Sequence, residues 1–255
     1  MKTTAMASSS ISPWNTLDER VNERETLIRY LPQFKNIFPR LSSVKSCAMI
    51  GCGYGKLDVE FVRECLPNVA ELAAVEPDAD QMAVLKIRLA QLFPTVSVDF
   101  FQDTAQSWKG AGKPFEVVLL FHCLYFLSPS ELAALFKKLF DDVVASGGHI
   151  FVLHNTCTSE DPARLFRLHR LLSGQSEVDG AQLCEMMTSA GYRSCYELHM
   201  KCQLDVEKLD EFAAWYAYVT GCTLSSEVIH KAAEEVFGGR KTVPHDNWFG
   251  AFRKP

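Results

Sequence analysis

Ile50-Gly51-Cys52-Gly53-Tyr54-Gly55 is the stretch whose reading decides the fold. Residues 47–50 before it are apolar and strand-sized, and Val59, Val62 and Leu66 after it recur at helical spacing. A strand that passes through a glycine-rich turn straight into a helix opens a β/α unit. Glycine is needed there because the chain turns sharply and a ligand can approach the backbone only where no Cβ stands in the way. The same alternation continues downstream. Residues 72–75 read as the second strand, Met82, Leu85, Leu89 and Leu92 as one face of a helix, and 96–101 as the third strand. The fourth and most apolar strand is 115–121, and Ser128-Pro129-Ser130-Glu131 reads as the capping box of the helix after it. Gly147 and Gly148 are expected to end that helix and lead into a fifth strand at 149–153.

The second half is less regular: helices at about 162–172 and 179–190, the latter stopped by Gly191, a sixth strand at 193–198, helical patterns at 206–219 and 226–237, and a last aromatic strand at 248–252. Ahead of the sheet, residues 1–12 read as a disordered tail. Thr16-Leu17-Asp18-Glu19 offers a capping box for a helix that Pro32 interrupts, and Phe34, Ile37, Phe38 and Leu41 carry a further helical set. The expected fold class is α/β: a doubly wound, mostly parallel seven-stranded sheet with N-terminal helices and helical insertions in the second half. Residues 13–255 are expected to form one domain, divided into a helical cover (13–43), a half built around the glycine turn (44–154) and an insertion-rich remainder (155–255).

Composition narrows the function classes. With 255 residues, 47% hydrophobic and 22% charged, the chain has the balance of a globular protein. A formal charge of -5 and the absence of any Lys/Arg run speak against nucleic acid as a partner. The longest apolar runs, 117–121 and 149–153, are far shorter than the roughly 20 residues of a membrane-spanning helix. The polar first ten residues do not read as a secretory signal, so the expected location is cytoplasmic. Nine scattered cysteines without a C-x-x-C pair read as reduced thiols. The seven histidines share no metal-ligand spacing, so no metal is expected.

The glycine spacing is G-x-G-x-G. A P-loop would need Lys followed by Ser or Thr, and Lys56 is followed by Leu57; a nicotinamide fingerprint would place its third glycine one residue later. Glu76 follows Gly55 by 21 positions and closes the second strand in Val75-Glu76-Pro77-Asp78, where a carboxylate can accept both hydroxyls of a ribose. Asp103 stands just after the third strand. This ordered set, strand, G-x-G-x-G, helix, an acid ending strand two and an acid after strand three, resembles the class I S-adenosylmethionine-dependent methyltransferases. In that reading Gly51, Gly53, Gly55, Glu76 and Pro77 line the cofactor, and Asp103 approaches the adenine edge.

A narrower likeness rests on Val75-Glu76-Pro77-Asp78-Ala79-Asp80-Gln81-Met82, on Leu120-Phe121-His122-Cys123-Leu124-Tyr125-Phe126-Leu127, and on the helix 23–31. These segments resemble the histamine N-methyltransferase family. The resemblance implies that Gly51, Gly53, Glu76 and Gln81 hold S-adenosyl-L-methionine, with Thr104 near its adenine and Phe121 against it. Glu23 matches the family's acid that faces the substrate amine. His122 falls where the family has a substrate-contacting Gln, Tyr125 and Phe126 match its paired aromatics, and Phe166 matches one aromatic of its insertion wall. The family's C-terminal substrate Asn falls at Asp246 or Asn247, and a second wall aromatic, a Trp, has no counterpart near Asp161-Pro162. The expectation is therefore a monomeric N-methyltransferase for a small amine or imidazole-bearing molecule other than histamine, with an O-methyltransferase or a non-catalytic relative as alternatives. His154 and Asn155, at the end of strand five, lie on the same sheet edge.

Methyl transfer from a sulfonium is an in-line displacement, so an enzyme supplies mainly proximity and alignment. An imidazole nitrogen needs no strong base, whereas an alkylammonium must first lose a proton. His122, with an ordinary pKa of about 6.5, would suit that task, or would serve as a hydrogen-bond partner only.

Overall fold

The computed structural model describes residues 20–125, 127–156, 161, 163–174, 178–220 and 222–255; at 166 and 218–220 it describes the backbone alone. Tertiary contacts divide the chain into two compact units, one of residues 23–159, 177–201 and 246–255, the other of 1–22, 160–176 and 202–245. The expected tail and the 16–19 capping box lie outside the described residues.

The larger unit is built on a seven-stranded sheet in the order β3-β2-β1-β4-β5-β9-β6. Its strands are β1 (Ser46–Ile50), β2 (Glu71–Val75), β3 (Ser97–Phe101), β4 (Phe115–Phe121), β5 (Val144–Asn155), β6 (Arg193–Met200) and β9 (Asn247–Arg253). The first five are mutually parallel, and β9 runs antiparallel between β5 and β6. The expected doubly wound, mostly parallel sheet is what forms. Parallel strands covered on both faces read as continuous apolar runs, and all five residues of β1 are buried accordingly.

Strand order reverses between β1 and β4, and at such a switch point two successive loops leave the sheet in opposite directions and open a crevice at its carboxyl edge. Register fixes which residues meet there. Ile50 lies opposite Val75, Val75 opposite Phe101 and Phe121 opposite Leu153. Because β9 is reversed, its first residue, Asn247, sits opposite Asn155 at the last position of β5.

The helix α1 (Glu23–Ile37) buries Thr26, Leu27, Leu31 and Phe34 along one face. Phe34 stacks on Phe249 with ring centroids 4.5 Å apart. Pro32 does not interrupt this helix, contrary to the sequence expectation. It sits on the exposed face, where water can satisfy the carbonyl that loses its intrahelical donor. A short 3₁₀ turn, Pro39–Ser43, follows instead of a second helix.

The glycine pair after α4 (Pro129–Lys138) also acts differently from expectation. The helix ends earlier, in a wide turn over Leu139–Val143, and β5 starts at Val144, before the glycines. Register slips between Phe115 and Val117 of β4, so Gly147 and Gly148 occupy a bulge. Gly147 adopts φ +75°, and a Cβ on Gly148 would stand 2.8 Å from the Ala145 carbonyl and 2.9 Å from that of Glu116. The Ser128 capping box forms as read.

The remaining helices of this unit are α2 (Lys56–Cys65), α3 (Ala79–Leu92) and α6 (Gly180–Ser189). The second unit contains α5 (Leu165–Ser173), α7 (Leu209–Thr220), α8 (Ser226–Phe237) and a two-stranded ribbon, β7 (Gln203–Asp205) with β8 (Thr242–Pro244). The ribbon has no counterpart in the sequence reading, because three-residue strands are too short to show alternation. Phe212 and Phe237 meet edge to face at 5.4 Å in the core of this unit. No helix among the described residues is long and apolar enough to cross a membrane.

Asp179 and Gln182 cap α6 reciprocally, and the helix opens on Gly180 because the Trp248 indole fills the space a side chain would take; a Cβ there would lie 2.3 Å from Trp248 Cγ. Gly180→Val should therefore cost about 1 to 3 kcal/mol, read as a lower thermal midpoint with a changed tryptophan emission. An unaltered midpoint would show that the indole has room to move.

Candidate active site

The turn between β1 and α2 is held in left-handed backbone at all three glycines, with φ +61° at Gly51, +55° at Gly53 and +75° at Gly55. Their environments differ. A Cβ on Gly51 would meet that of Cys123 at 2.4 Å, and one on Gly53 would meet Gln81 Oε1 at 2.6 Å, so both border the crevice between the turn, β4 and α3. A Cβ on Gly55 would strike Leu85 Cδ1 at 2.4 Å. The side of Gly55 that a side chain would occupy thus serves the packing of α2 against α3.

Glu76 follows β2 and is almost fully buried. Its carboxylate accepts the Gly53 N–H at 2.7 Å and the Asp78 N–H at 3.0 Å. Burial raises its pKa, and these two hydrogen bonds work against the rise. Asp78 caps α3 through the N–H groups of Asp80 and Gln81, which fixes the start of the helix that carries Gln81 over Gly53. Pro77 is exposed at the rim. Asp103 accepts the Thr104 N–H at 2.8 Å and the Ser107 hydroxyl, while Thr104 and Ser107 share a hydrogen bond of 2.5 Å. The Phe121 ring is buried, close to those of Phe61 and Phe249 at 5.8 and 6.0 Å.

An adenosyl cofactor fits these residues. A buried carboxylate oriented by two backbone donors is a suitable acceptor for a ribose diol, and an amide side chain over a glycine leaves room for a flat or extended ligand.

A second group converges where β4 and β5 end and β9 begins. His122, directly after β4, has φ +52° and is the only non-glycine residue in left-handed backbone among the described residues. Such a conformation costs on the order of 1 kcal/mol and is held by surrounding contacts. Here the His122 N–H donates to the Leu153 carbonyl at 2.9 Å. The ring bridges two partners, Nε2 to Glu23 Oε1 and Nδ1 to the Tyr125 hydroxyl. Asn247 Nδ2 donates to the same Glu23 oxygen at 2.6 Å. Of the two C-terminal positions left open by the sequence, Asn247 is the one that reaches Glu23. Both nitrogens of His122 are engaged within the protein, so the ring has no lone pair directed to an outside proton, and a direct general-base role is not what this arrangement provides.

Tyr125 stacks on His154 with centroids 4.4 Å apart. His154 is 1% exposed, donates from Nε2 to the Val178 carbonyl at 2.8 Å, and has no partner at Nδ1. Burial pushes its pKa down to about 3, so the ring is neutral. Phe126 and the side chain of Phe166 lie outside the described residues. No cluster that could hold a metal ion occurs among the described residues. Asp58, which no sequence motif singles out, is buried in the first turn of α2, directly after the glycine turn.

Residues 48–148 match the family described as Methyltransferase domain. A solved structure from Bacillus halodurans C-125, assigned as a methyltransferase, superposes with a TM-score of 0.64 at 14% identity, covering 89% of this chain and 98% of that one. The N-methyltransferase NodS from Bradyrhizobium japonicum WM9 is similar with a TM-score of 0.57 at 11% identity, over 92% of this chain and 99% of that chain. The [4+2]-cyclase SpnF is similar to the same degree, with a TM-score of 0.57 at 17% identity over 89% and 80% of the two chains, so this likeness speaks for fold alone. The domain match over residues 48–148 and the class I methyltransferase fold together support an S-adenosylmethionine-dependent methyltransferase. No curated protein sequence matches the chain.

Acid stability tests the buried histidine. With its folded pKa about 3 and an ordinary value of 6.5, His154 stays neutral while the unfolded chain takes up a proton, so its contribution is complete above pH 6.5 and is lost as pH falls toward 3. His154→Gln keeps a donor for Val178. Between pH 7.5 and 5 the wild type should lose more stability than this variant, with a difference approaching about 1.4 kcal/mol per pH unit below the unfolded pKa. Parallel losses in chemical denaturation would refute the neutral, buried state.

Proposed function

We propose that the protein is an N-methyltransferase that uses S-adenosyl-L-methionine to modify a small amine or imidazole-bearing metabolite. The observation that carries this reading is the convergence of Glu23, His122 and Asn247 at the carboxyl edge, on the far side of the switch-point crevice from Gly53 and Glu76.

When bound, the cofactor supplies a sulfonium methyl group as electrophile. Glu76 would hold the ribose hydroxyls, Gln81 and Gly53 would border the sugar, and Asp103 with Thr104 would stand at the adenine edge. Glu23 is the anion nearest the acceptor side. It is shared by Asn247 and His122, which fix its orientation on the acceptor side. His122 orients Glu23 from Nε2 and Tyr125 from Nδ1, and Tyr125 in turn lies flat on His154. This chain of contacts supports a positioning role for His122, since transfer to a neutral nitrogen lone pair needs alignment and exclusion of water more than a strong base. A substrate amine that arrives protonated would pass its proton toward the Glu23 carboxylate.

The deciding measurement is a panel of amines, imidazoles and phenols assayed with methyl-labelled cofactor. Label on amines or imidazoles is expected; label confined to hydroxyl acceptors would overturn the nitrogen assignment.

Two substitutions test the residues. Glu76→Ala removes two charge-assisted hydrogen bonds to ribose, each worth about 1.5 to 3 kcal/mol, and should weaken cofactor binding by about two to four powers of ten with a native circular dichroism spectrum. Unchanged affinity would end the ribose assignment. His122→Gln should raise KM while kcat stays within about tenfold, as expected for loss of orientation rather than of a base. A steep fall in kcat with loss of its dependence between about pH 6 and 7.5 would instead make His122 the proton acceptor.

A further inference from the structure

A carboxyl group lies beneath the glycine turn without a full set of partners. Asp58, in the first turn of α2, is 3% exposed, and its Oδ1 is buried with no hydrogen-bond partner. The titratable groups whose charge couples to it come from each neighbouring element: Cys47 of β1, Cys52 of the turn, Glu76 after β2 and Cys123 after β4. None is basic. On the side of α1, Arg24 is taken up by Glu60, as is Arg63 of α2 itself. Desolvation, with Glu76 adding to it, pushes the Asp58 pKa up to about 8, so the group is neutral at pH 7 in the free protein.

The turn above it is not built to receive an anion. The Gly51 N–H donates to the Val75 carbonyl at 2.7 Å and the Gly55 N–H to that of Cys52 at 2.7 Å, while the Gly53 N–H is held by Glu76. With these amides turned inward and two acids beneath, the potential at the mouth of the crevice favours a cation. A phosphate loop has the opposite arrangement, with its amides free to face the ligand.

We propose that Asp58 is the proton-linked countercharge of the ammonium group on the cofactor's methionyl arm, protonated in the free protein and ionised in the complex. The inference rests on the cofactor reading above. Binding is then an exchange: the cation settles over the turn, the Asp58 carboxyl gives its proton to solvent, and the new carboxylate has the positive partner that the free protein does not offer it.

Calorimetric titration of the full chain with S-adenosylhomocysteine, which keeps the ammonium group but not the sulfonium, tests this without turnover. In buffers of different ionisation enthalpy at pH 7, the wild type should release close to one proton per ligand, and Asp58→Asn close to none. Wild-type affinity should rise with pH from 6.5 to 8, by up to about tenfold per unit, and level off near 8.5. The wild-type series stands even where Asp58→Asn fails to fold. Binding with no proton release and a flat pH profile would overturn the role of Asp58, as would undiminished release from the folded variant. No binding at all would overturn the cofactor reading and this inference with it.

Discussion

Everything in the larger unit depends on the parallel register of β2, β1, β4 and β5, because hydrogen bonding between neighbouring strands fixes where each one ends. Four loops consequently leave from one edge, and reversal of strand order between β1 and β4 parts two of them. The glycine turn and His122 stand on either side of that parting. The antiparallel β9 adds the start of its own strand to the same edge, which is how a residue near the C-terminus comes to bond one at the beginning of α1.

The two sides of the crevice solve different electrostatic problems. On one, carboxyl groups are buried and only partly compensated: Glu76 by backbone donors, Asp58 with its Oδ1 unpaired. Burying an acid without a cation is unfavourable in the free protein, and that cost is recoverable only if a positive group arrives. On the other side, Glu23 is shared by an amide and an imidazole, and the strained backbone of His122 is held by hydrogen bonds at its N–H and at both ring nitrogens. The first arrangement suits recognition of a charged cofactor arm, the second a rigid, oriented acceptor.

Neutral His154 under Tyr125 extends that rigidity inward. An imidazole whose charge is suppressed by burial can support a stacked ring without placing a cation beneath Tyr125.

The inner strands β1, β2, β4 and β5 and the β/α alternation were legible in the chain because buried parallel strands need largely apolar runs and the helices between them need a repeating apolar face, whereas the edge strands β3 and β6 are partly exposed. The glycine turn, the acid closing β2 and the Ser128 capping box were legible for the same local reason: each is a short-range requirement of backbone geometry. Pro32 and the Gly147-Gly148 pair were read by their usual local effects, which an exposed helix face and a strand bulge set aside. Gly55 and Phe121 carry the right residue types in the right places, yet their neighbours, Leu85 for one and Phe61 with Phe249 for the other, come from distant segments. The choice of Asn247 over Asp246, the occupation of both His122 nitrogens and the burial of Asp58 likewise follow from strand register and packing across the sheet. Local sequence determined which elements form and which residues stand at their ends; only the tertiary structure decided which of those residues face one another, because register and helix packing are set by contacts between segments far apart in the chain.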